Sequence, residues 1–158
     1  MLSTRLSLGA SRPWISLLAR LGLAATWLWA GWAKIQDPAT SAYAVRVFRI
    51  LPEGLINPVG YGLPALELGL AVLLLIGLCT RFTAIFSAAL FLLFMAAIIQ
   101  AWARGLSIDC GCFGGGGEVD PAETQYTKEI LRDIGFLAMS IWLVCCPSSR
   151  LSLDVRLR

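Results

Sequence analysis

The chain has 158 residues, of which 58% are hydrophobic and 15% charged, with a formal net charge of +3 and no histidine. Ordinary soluble domains carry about a quarter charged residues, so the balance points to a bilayer, and without a basic stripe the small positive excess excludes a nucleic-acid surface. The missing histidine excludes Ser-His-Asp and Cys-His nucleophiles and histidine-ligated haem or metal, and leaves Cys, Lys, Arg, Asp, Glu, Tyr or a partner to carry any chemistry.

The first apolar block runs over residues 14–35, "WISLLARLGLAATWLWAGWAKI". It contains Arg20, is too long for the apolar core of a signal peptide and ends without a small-x-small cleavage site, so it is expected to be retained as a spanning helix. The segment "PATSAYAVRVFRILPE" starts at Pro38 and is stopped by Pro52. It predicts a short helix lying in the interface or packed on the bundle, with Tyr43, Val47, Ile50 and Leu51 on one face and Arg46 and Arg49 near the other. The second block covers about residues 59–79 and the third residues 82–103. Little more than Thr80 and Arg81 joins them, which predicts an antiparallel hairpin. The fourth block covers residues 127–146. Each block is close to the ~20 residues that a spanning helix needs, and none alternates as barrel strands do. The expected fold class is an all-α membrane protein: one domain, residues 1–158, built as a four-transmembrane-helix bundle with a short interfacial helix between helices one and two.

With four spans both termini share a side. That side would hold Arg5, Arg12, Arg20, Arg81, Arg150, Arg156 and Arg158, against Lys34, Arg46, Arg49, Arg104, Lys128 and Arg132 on the other. The excess of one leans toward cytoplasmic termini in the plasma (inner) membrane. The connection before the fourth helix would then lie outside, where disulfides persist.

That connection is "RGLSIDCGCFGGGGEVD", residues 104–120, and it carries Cys110 and Cys112. Residues two apart in an extended strand sit ~6.6 Å apart, the far edge of what a disulfide spans. Gly111 lets the chain bend and bring the sulfurs together, and Gly114 to Gly117 lend the loop flexibility. So small a ring is strained, and a strained disulfide is easily reduced. The pattern suits thiol-disulfide exchange; half of a metal or cluster site, a static brace and inert thiols are the alternatives. No metal is expected.

The fourth helix has too few charge-free residues, 134–146, to cross a ~30 Å core. Arg132 and Asp133 therefore lie at or inside the bilayer edge, where ionisable groups are paired or functional. Lys34 closes helix one on the same side, and Glu67 lies about two turns below it. Lys34, Glu67, Arg132 and Asp133 are expected to gather beneath the C-G-C loop, where a nearby cation favours thiolate. Such a cluster would accommodate a quinone head group, pass a proton, or be a purely structural network. Cys79, Cys145 and Cys146 fall at the opposite side and read as packing or interfacial thiols. Trp14, Trp29, Trp32 and Trp102, near block ends, read as interface anchors.

With "GWAKIQDP" (Gly31 to Pro38), "LPALELGLAVLLLIG" (Leu63 to Gly77), "RGLSIDCGCFG" (Arg104 to Gly114) and "LRDIGFLAMS" (Leu131 to Ser140), the chain resembles the DoxX-like four-helix membrane proteins, and within them the methylamine-utilisation MauE branch. C-G-C-F-G is the most specific of these pieces. The resemblance implies a role in maturing the disulfide-rich small subunit of methylamine dehydrogenase beside a thioredoxin-like partner. For some DoxX-like members it implies electron transfer from thiosulfate to quinone. The expectation is a membrane thiol-disulfide protein in which Cys110 and Cys112 exchange electrons with an extracytoplasmic thioredoxin-like protein or client, the bundle passing them toward a quinone or receiving them from inside. The rival expectation is a non-catalytic accessory or assembly subunit braced by C-G-C. A small transporter, supported by Glu67 and Arg132 in the membrane, is a weaker third.

Overall fold

A computed structural model describes residues 2–149 and 152–156, with side chains for 12–149 and 152–154. Arg150 and Arg158, and the side chains of Arg5 and Arg156, lie outside the described residues.

The chain folds as α1 (Leu2–Gln36), α2 (Pro38–Val47), α3 (Glu53–Ile76), α4 (Thr80–Ala103), a two-stranded hairpin of β1 (Ile108–Asp109) and β2 (Gly117–Glu118), α5 (Tyr126–Cys145) and a short α6 (Leu153–Arg156). The four apolar blocks thus appear as α1, α3, α4 and α5. By length and composition α3 and α4 are apolar enough to cross a membrane. α5 opens with Lys128, Glu129, Arg132 and Asp133 inside its first two turns.

Helix α3 starts six residues before the expected boundary and runs through Pro58 and Pro64. A proline has no N–H for the carbonyl four residues back. For Pro64 that carbonyl is Gly60, and Ser41 Oγ donates to it at 2.9 Å instead. The substitute bond ties α2 to α3. At the same level a Cβ on Gly60 would lie 2.6 Å from Ala42 Cα. Small residues therefore set the α2–α3 spacing, and this overturns the expected apolar face of α2. Ser41, Ala42, Ala44 and Val47 are buried, whereas Tyr43 and Ile50 are exposed and both Ile50 and Leu51 lie beyond the helix end. α2 packs on the bundle through its small side.

The α3–α4 connection is Gly77 to Cys79 rather than Thr80 and Arg81, which already belong to α4. Gly77 and Cys79 both take left-handed backbone. Asp154, from the C-terminal segment, caps α4 by accepting from Cys79 N at 2.8 Å and Thr80 N at 2.7 Å, and Ser152 Oγ donates to Gly77 O at 2.7 Å. Arg20, expected near an interface, is 2% exposed and donates to Ser149 at 2.9 Å. The end of the bundle that carries Cys79, Cys145 and Cys146 is thus tied to the C-terminal segment.

α1 packs along α3 and α5, and α4 along α5, while α3 and α4 touch sparsely. The core centres on Leu23, Trp27, Leu74, Phe91 and Leu143. Trp27 stacks on Phe91 with centroids 4.6 Å apart, and its indole N–H donates to Ser87 Oγ at 2.9 Å. Trp14, Trp29, Trp32 and Trp102 are exposed.

Candidate functional site

The loop from Cys110 to Gly116 is folded down onto the helices. Its base is the β1–β2 ladder, with Asp109 opposite Gly117 and Ile108 opposite Glu118. Tyr126, at the start of α5, pins that base: its hydroxyl donates to Leu106 O and accepts from Ile108 N at 3.0 Å. Gly111 and Gly116 cross with no room between them. A Cβ on Gly116 would sit 2.7 Å from Gly111 Cα and 2.8 Å from Ala44 Cβ, and both glycines have positive φ. Backbone this tight, in the left-handed region, is accessible only to glycine at low cost. The fold over Gly111 brings the sulfurs of Cys110 and Cys112 to 2.9 Å, well inside van der Waals contact and outside the ~2.05 Å of a disulfide. Both are free thiols, half-buried.

The two sulfurs differ. Cys110 Sγ accepts from Cys112 N at 3.4 Å and faces Arg132 Nη2 at 3.8 Å. The two sulfurs also share one hydrogen bond. The hydrogen bond with Cys110 is the largest influence pushing the Cys112 thiol well above its ordinary value of 9.0. Burial and the nearness of Cys110 and of the Asp133 carboxylate push the same way, and Arg132 opposes.

Lys34, Glu67, Arg132 and Asp133 do gather beneath the loop, as two pairs. Lys34 Nζ donates to Glu67 Oε1 at 2.7 Å and Oε2 at 3.0 Å, and to Cys112 O at 2.8 Å. Glu67 is fully buried and Lys34 is 8% exposed. Arg132 reaches Asp133 Oδ1 through Nε at 3.1 Å and Nη2 at 3.0 Å. Its guanidinium also lies 4.6 Å from the centroid of Phe113, a cation–π arrangement that fixes its plane beneath Cys110.

Sequence reasoning missed Glu129, Phe113 and Asp109. Glu129 accepts from Cys110 N at 3.4 Å, and Asp109 Oδ1 accepts from Gly111 N at 3.2 Å. The signal for Glu129 was its spacing, three and four residues ahead of Arg132 and Asp133, which puts all three on one side of α5. Among the described residues, Asp109, Cys110 and Glu129 form one group with ligand atoms within 4.8 Å of one another. An oxygen of each carboxylate is already engaged by a loop amide.

The family described as methylamine utilisation protein MauE matches residues 12–146. The chain belongs to the MauE family. It is 30% identical over 140 residues to the methylamine utilization protein MauE of Methylophilus methylotrophus, covering 85% of this chain and 70% of that protein. To the MauE protein of Methylorubrum extorquens it is 45% identical over 73 residues, covering 46% of this chain and 39% of the relative. To that of Paracoccus denitrificans it is 34% identical over 106 residues, covering 66% and 57%. The chain thus spans less than two thirds of the length of the latter two relatives. No solved structure matches the chain. MauE membership and the two apolar helices together point to a membrane protein.

Among the described residues of this MauE-family chain, two cavities border the sulfurs. The larger, about 190 Å³, lies between α2, α3 and α4 and reaches Cys110, Gly111 and Cys112. Its walls are mostly apolar, with Phe48, Leu63, Phe94 and Ile98 among them. Ile50 and Leu93 at its rim are 52% and 62% exposed, so it opens sideways where α3 and α4 part. The smaller, about 10 Å³, is lined by Thr26, Trp27, Ala30, Glu67, Phe91, Phe94, Cys112, Phe113 and Asp133.

Proposed function

We propose that this chain is a membrane thiol-disulfide protein of methylamine utilisation, with Cys110 and Cys112 as its exchanging pair. The observation that carries the reading is the pair of sulfurs 2.9 Å apart, one facing a guanidinium at 3.8 Å and the other with its thiol pushed well up. That is the asymmetry an attacking thiol and a resolving thiol require. The curated relatives bear the words methylamine utilization in their names, which supports the pathway. In this reading α1, α3, α4 and α5 all span the bilayer, with cytoplasmic termini and the loop on the outer face. The partner is an extracytoplasmic thioredoxin-like protein or a disulfide-bearing client.

In the exchange, Cys110 thiolate attacks the partner disulfide and forms a mixed disulfide, releasing one partner thiolate. Cys112 then attacks Cys110 Sγ, closes the loop disulfide and releases the second. The partner gains two electrons and the loop loses two; the reverse sequence oxidises the partner.

The sideways cavity supports a quinone as the coupled acceptor of the reverse sequence, in which the loop disulfide takes two electrons from the partner and the resulting dithiol passes them on. Its apolar walls fit a ring with an isoprenoid tail entering from lipid, with Phe48, Leu63, Phe94 and Ile98 to hold it beside the sulfurs. A quinone bound there would supply a two-electron, two-proton acceptor.

Cys112→Ser tests the reading by stalling exchange at the mixed disulfide. The variant should accumulate a reducible adduct with a thioredoxin-like protein, and Cys110→Ser should not. A C-G-C to S-G-S protein that keeps full activity in methylamine-grown cells would instead make the loop a brace.

A further inference from the structure

We propose that Asp109, Cys110 and Glu129 form a binding site for one thiophilic divalent cation of the zinc class, and that the bound cation withholds Cys110 from exchange. The binding site stands by itself; its effect on exchange rests on the thiol-disulfide reading.

Three observations carry it. First, one thiol and two carboxylates converge, with ligand atoms within 4.8 Å of one another. A point within about 2.8 Å of all three therefore exists, and a contraction of about half an ångström brings the atoms to the ~2.0–2.3 Å at which zinc holds oxygen and sulfur. Second, Glu129 is 9% exposed. Its Oε1 accepts from Cys110 N, while Oε2 is buried with no hydrogen-bond partner. A buried carboxylate oxygen without a donor is costly, and a cation held directly against it removes that cost without needing room for a water. Third, the cluster is held in place and open on one side. Tyr126 and the β1–β2 ladder fix the hairpin that carries Asp109 against α5, which carries Glu129. Asp109 is exposed, so a cation reaches the cluster from the outer surface of the loop.

The surrounding charge suits a cation. Arg132 faces Cys110 Sγ at 3.8 Å, but its guanidinium is bonded to Asp133, and Lys34 is bonded to Glu67. These pairs offset each other, which leaves the carboxylates of Asp109 and Glu129 as the surplus charge beside the sulfur. A thiolate joined by two carboxylates selects zinc-like ions over magnesium or calcium, which take oxygen alone. On binding, the Cys110 S–H bond breaks, its proton is released to water and the sulfur electron pair goes to the metal. That pair is the one an attack on a disulfide requires. Cys110 and Cys112 by themselves make half of a metal site; the fold adds the two carboxylates, one from β1 and one from α5.

Cadmium reports the site directly, because its bond to a thiolate absorbs in the ultraviolet. It is titrated into the reduced, metal-free full chain lacking Cys79, Cys145 and Cys146. The expected result is one cadmium per chain, displaced by zinc, with the affinity lowered about tenfold or more by Asp109→Asn and by Glu129→Gln and the band lost in Cys110→Ser. Asp109 is exposed, so Asp109→Asn keeps the test open if Glu129→Gln unfolds. Glu123→Gln, an exposed acid outside the cluster, should bind as the parent does. Saturating zinc should slow closure of the loop disulfide by diamide about tenfold or more in the parent. Equal affinities in the parent, Asp109→Asn and Glu129→Gln would mean that the two thiols alone hold the metal, and would overturn the site. An unchanged diamide rate under saturating zinc would overturn its hold on exchange. A metal-free parent that diamide cannot close would overturn the exchange reading and leave the cation site standing.

Discussion

Lys34 Nζ donates to both carboxylate oxygens of Glu67, at 2.7 and 3.0 Å, and spends its third hydrogen on the carbonyl of Cys112 at 2.8 Å. One ammonium thereby joins α1, α3 and the C-G-C loop. Removing one partner of so buried a pair strands the other charge, at a cost of about 3–5 kcal/mol. Lys34→Met or Glu67→Leu alone should destabilise by about that much, whereas the double variant should recover most of the loss. Denaturant unfolding of the four proteins in micelles measures the coupling. Additive losses would mean that the pair is not the joint described.

Arg132 lies 3.8 Å from Cys110 Sγ and is held flat by Phe113. Removing its charge withdraws the cation nearest the attacking sulfur. Arg132→Gln should slow alkylation of Cys110 by iodoacetamide by roughly tenfold at neutral pH. Arg132→Lys should fall between, since it keeps charge but loses the planar stack. Equal rates in all three proteins would remove Arg132 from the site's chemistry.

Much of this was legible in the sequence, for physical reasons. A long apolar block satisfies its own backbone most readily as a helix, so four blocks near spanning length announce four helices. The polar cluster was legible because charges are costly in such helices and must meet; depth along the helix located Lys34, Glu67, Arg132 and Asp133. How they pair was not legible, because rotation of each helix about its axis leaves no mark in block lengths. The face of α2 was misread because it is held by Ala42, Ala44 and the Ser41 bond to Gly60, and small residues carry no apolar signal. The hairpin of Ile108 and Asp109 with Gly117 and Glu118 is too short to show a period of two. The glycine run read as flexibility; its close crossing at Gly111 and Gly116 depends on Ala44 from another helix.

That crossing gives a third prediction. Gly116→Ala puts a methyl 2.7 Å from Gly111 Cα, on a backbone with φ of 92°. The loop must shift, parting the sulfurs and costing about 1–2 kcal/mol from the left-handed conformation alone. Diamide should close the Cys110–Cys112 disulfide at least tenfold more slowly in this variant, the kinetic equivalent of about 1.4 kcal/mol. Gly62→Ala is the control, since a Cβ there meets nothing within 4 Å. Slowing by both would place the effect outside the crossing.

The raised Cys112 thiol fixes a pH dependence. Its folded value lies above its unfolded one, so its contribution to stability is complete below the unfolded value. It is lost as pH climbs from 9.0 toward the higher folded value. The reduced protein should therefore unfold more readily with each step above pH 9, and Cys112→Ser should show a flatter profile over the same range. Melting temperatures in buffers above and below pH 9 measure it, and parallel profiles would contradict a raised Cys112 thiol.

The central claim is that Cys110 and Cys112 cycle between dithiol and disulfide on the outer face of the membrane. The most direct measurement is their redox state in intact cells, in the variant lacking Cys79, Cys145 and Cys146. A bulky membrane-impermeant maleimide is added with and without prior treatment with an impermeant reductant. The predicted result is labelling of two thiols that depends on the reductant and shifts when quinone is depleted. Two thiols labelled equally under every condition would contradict it.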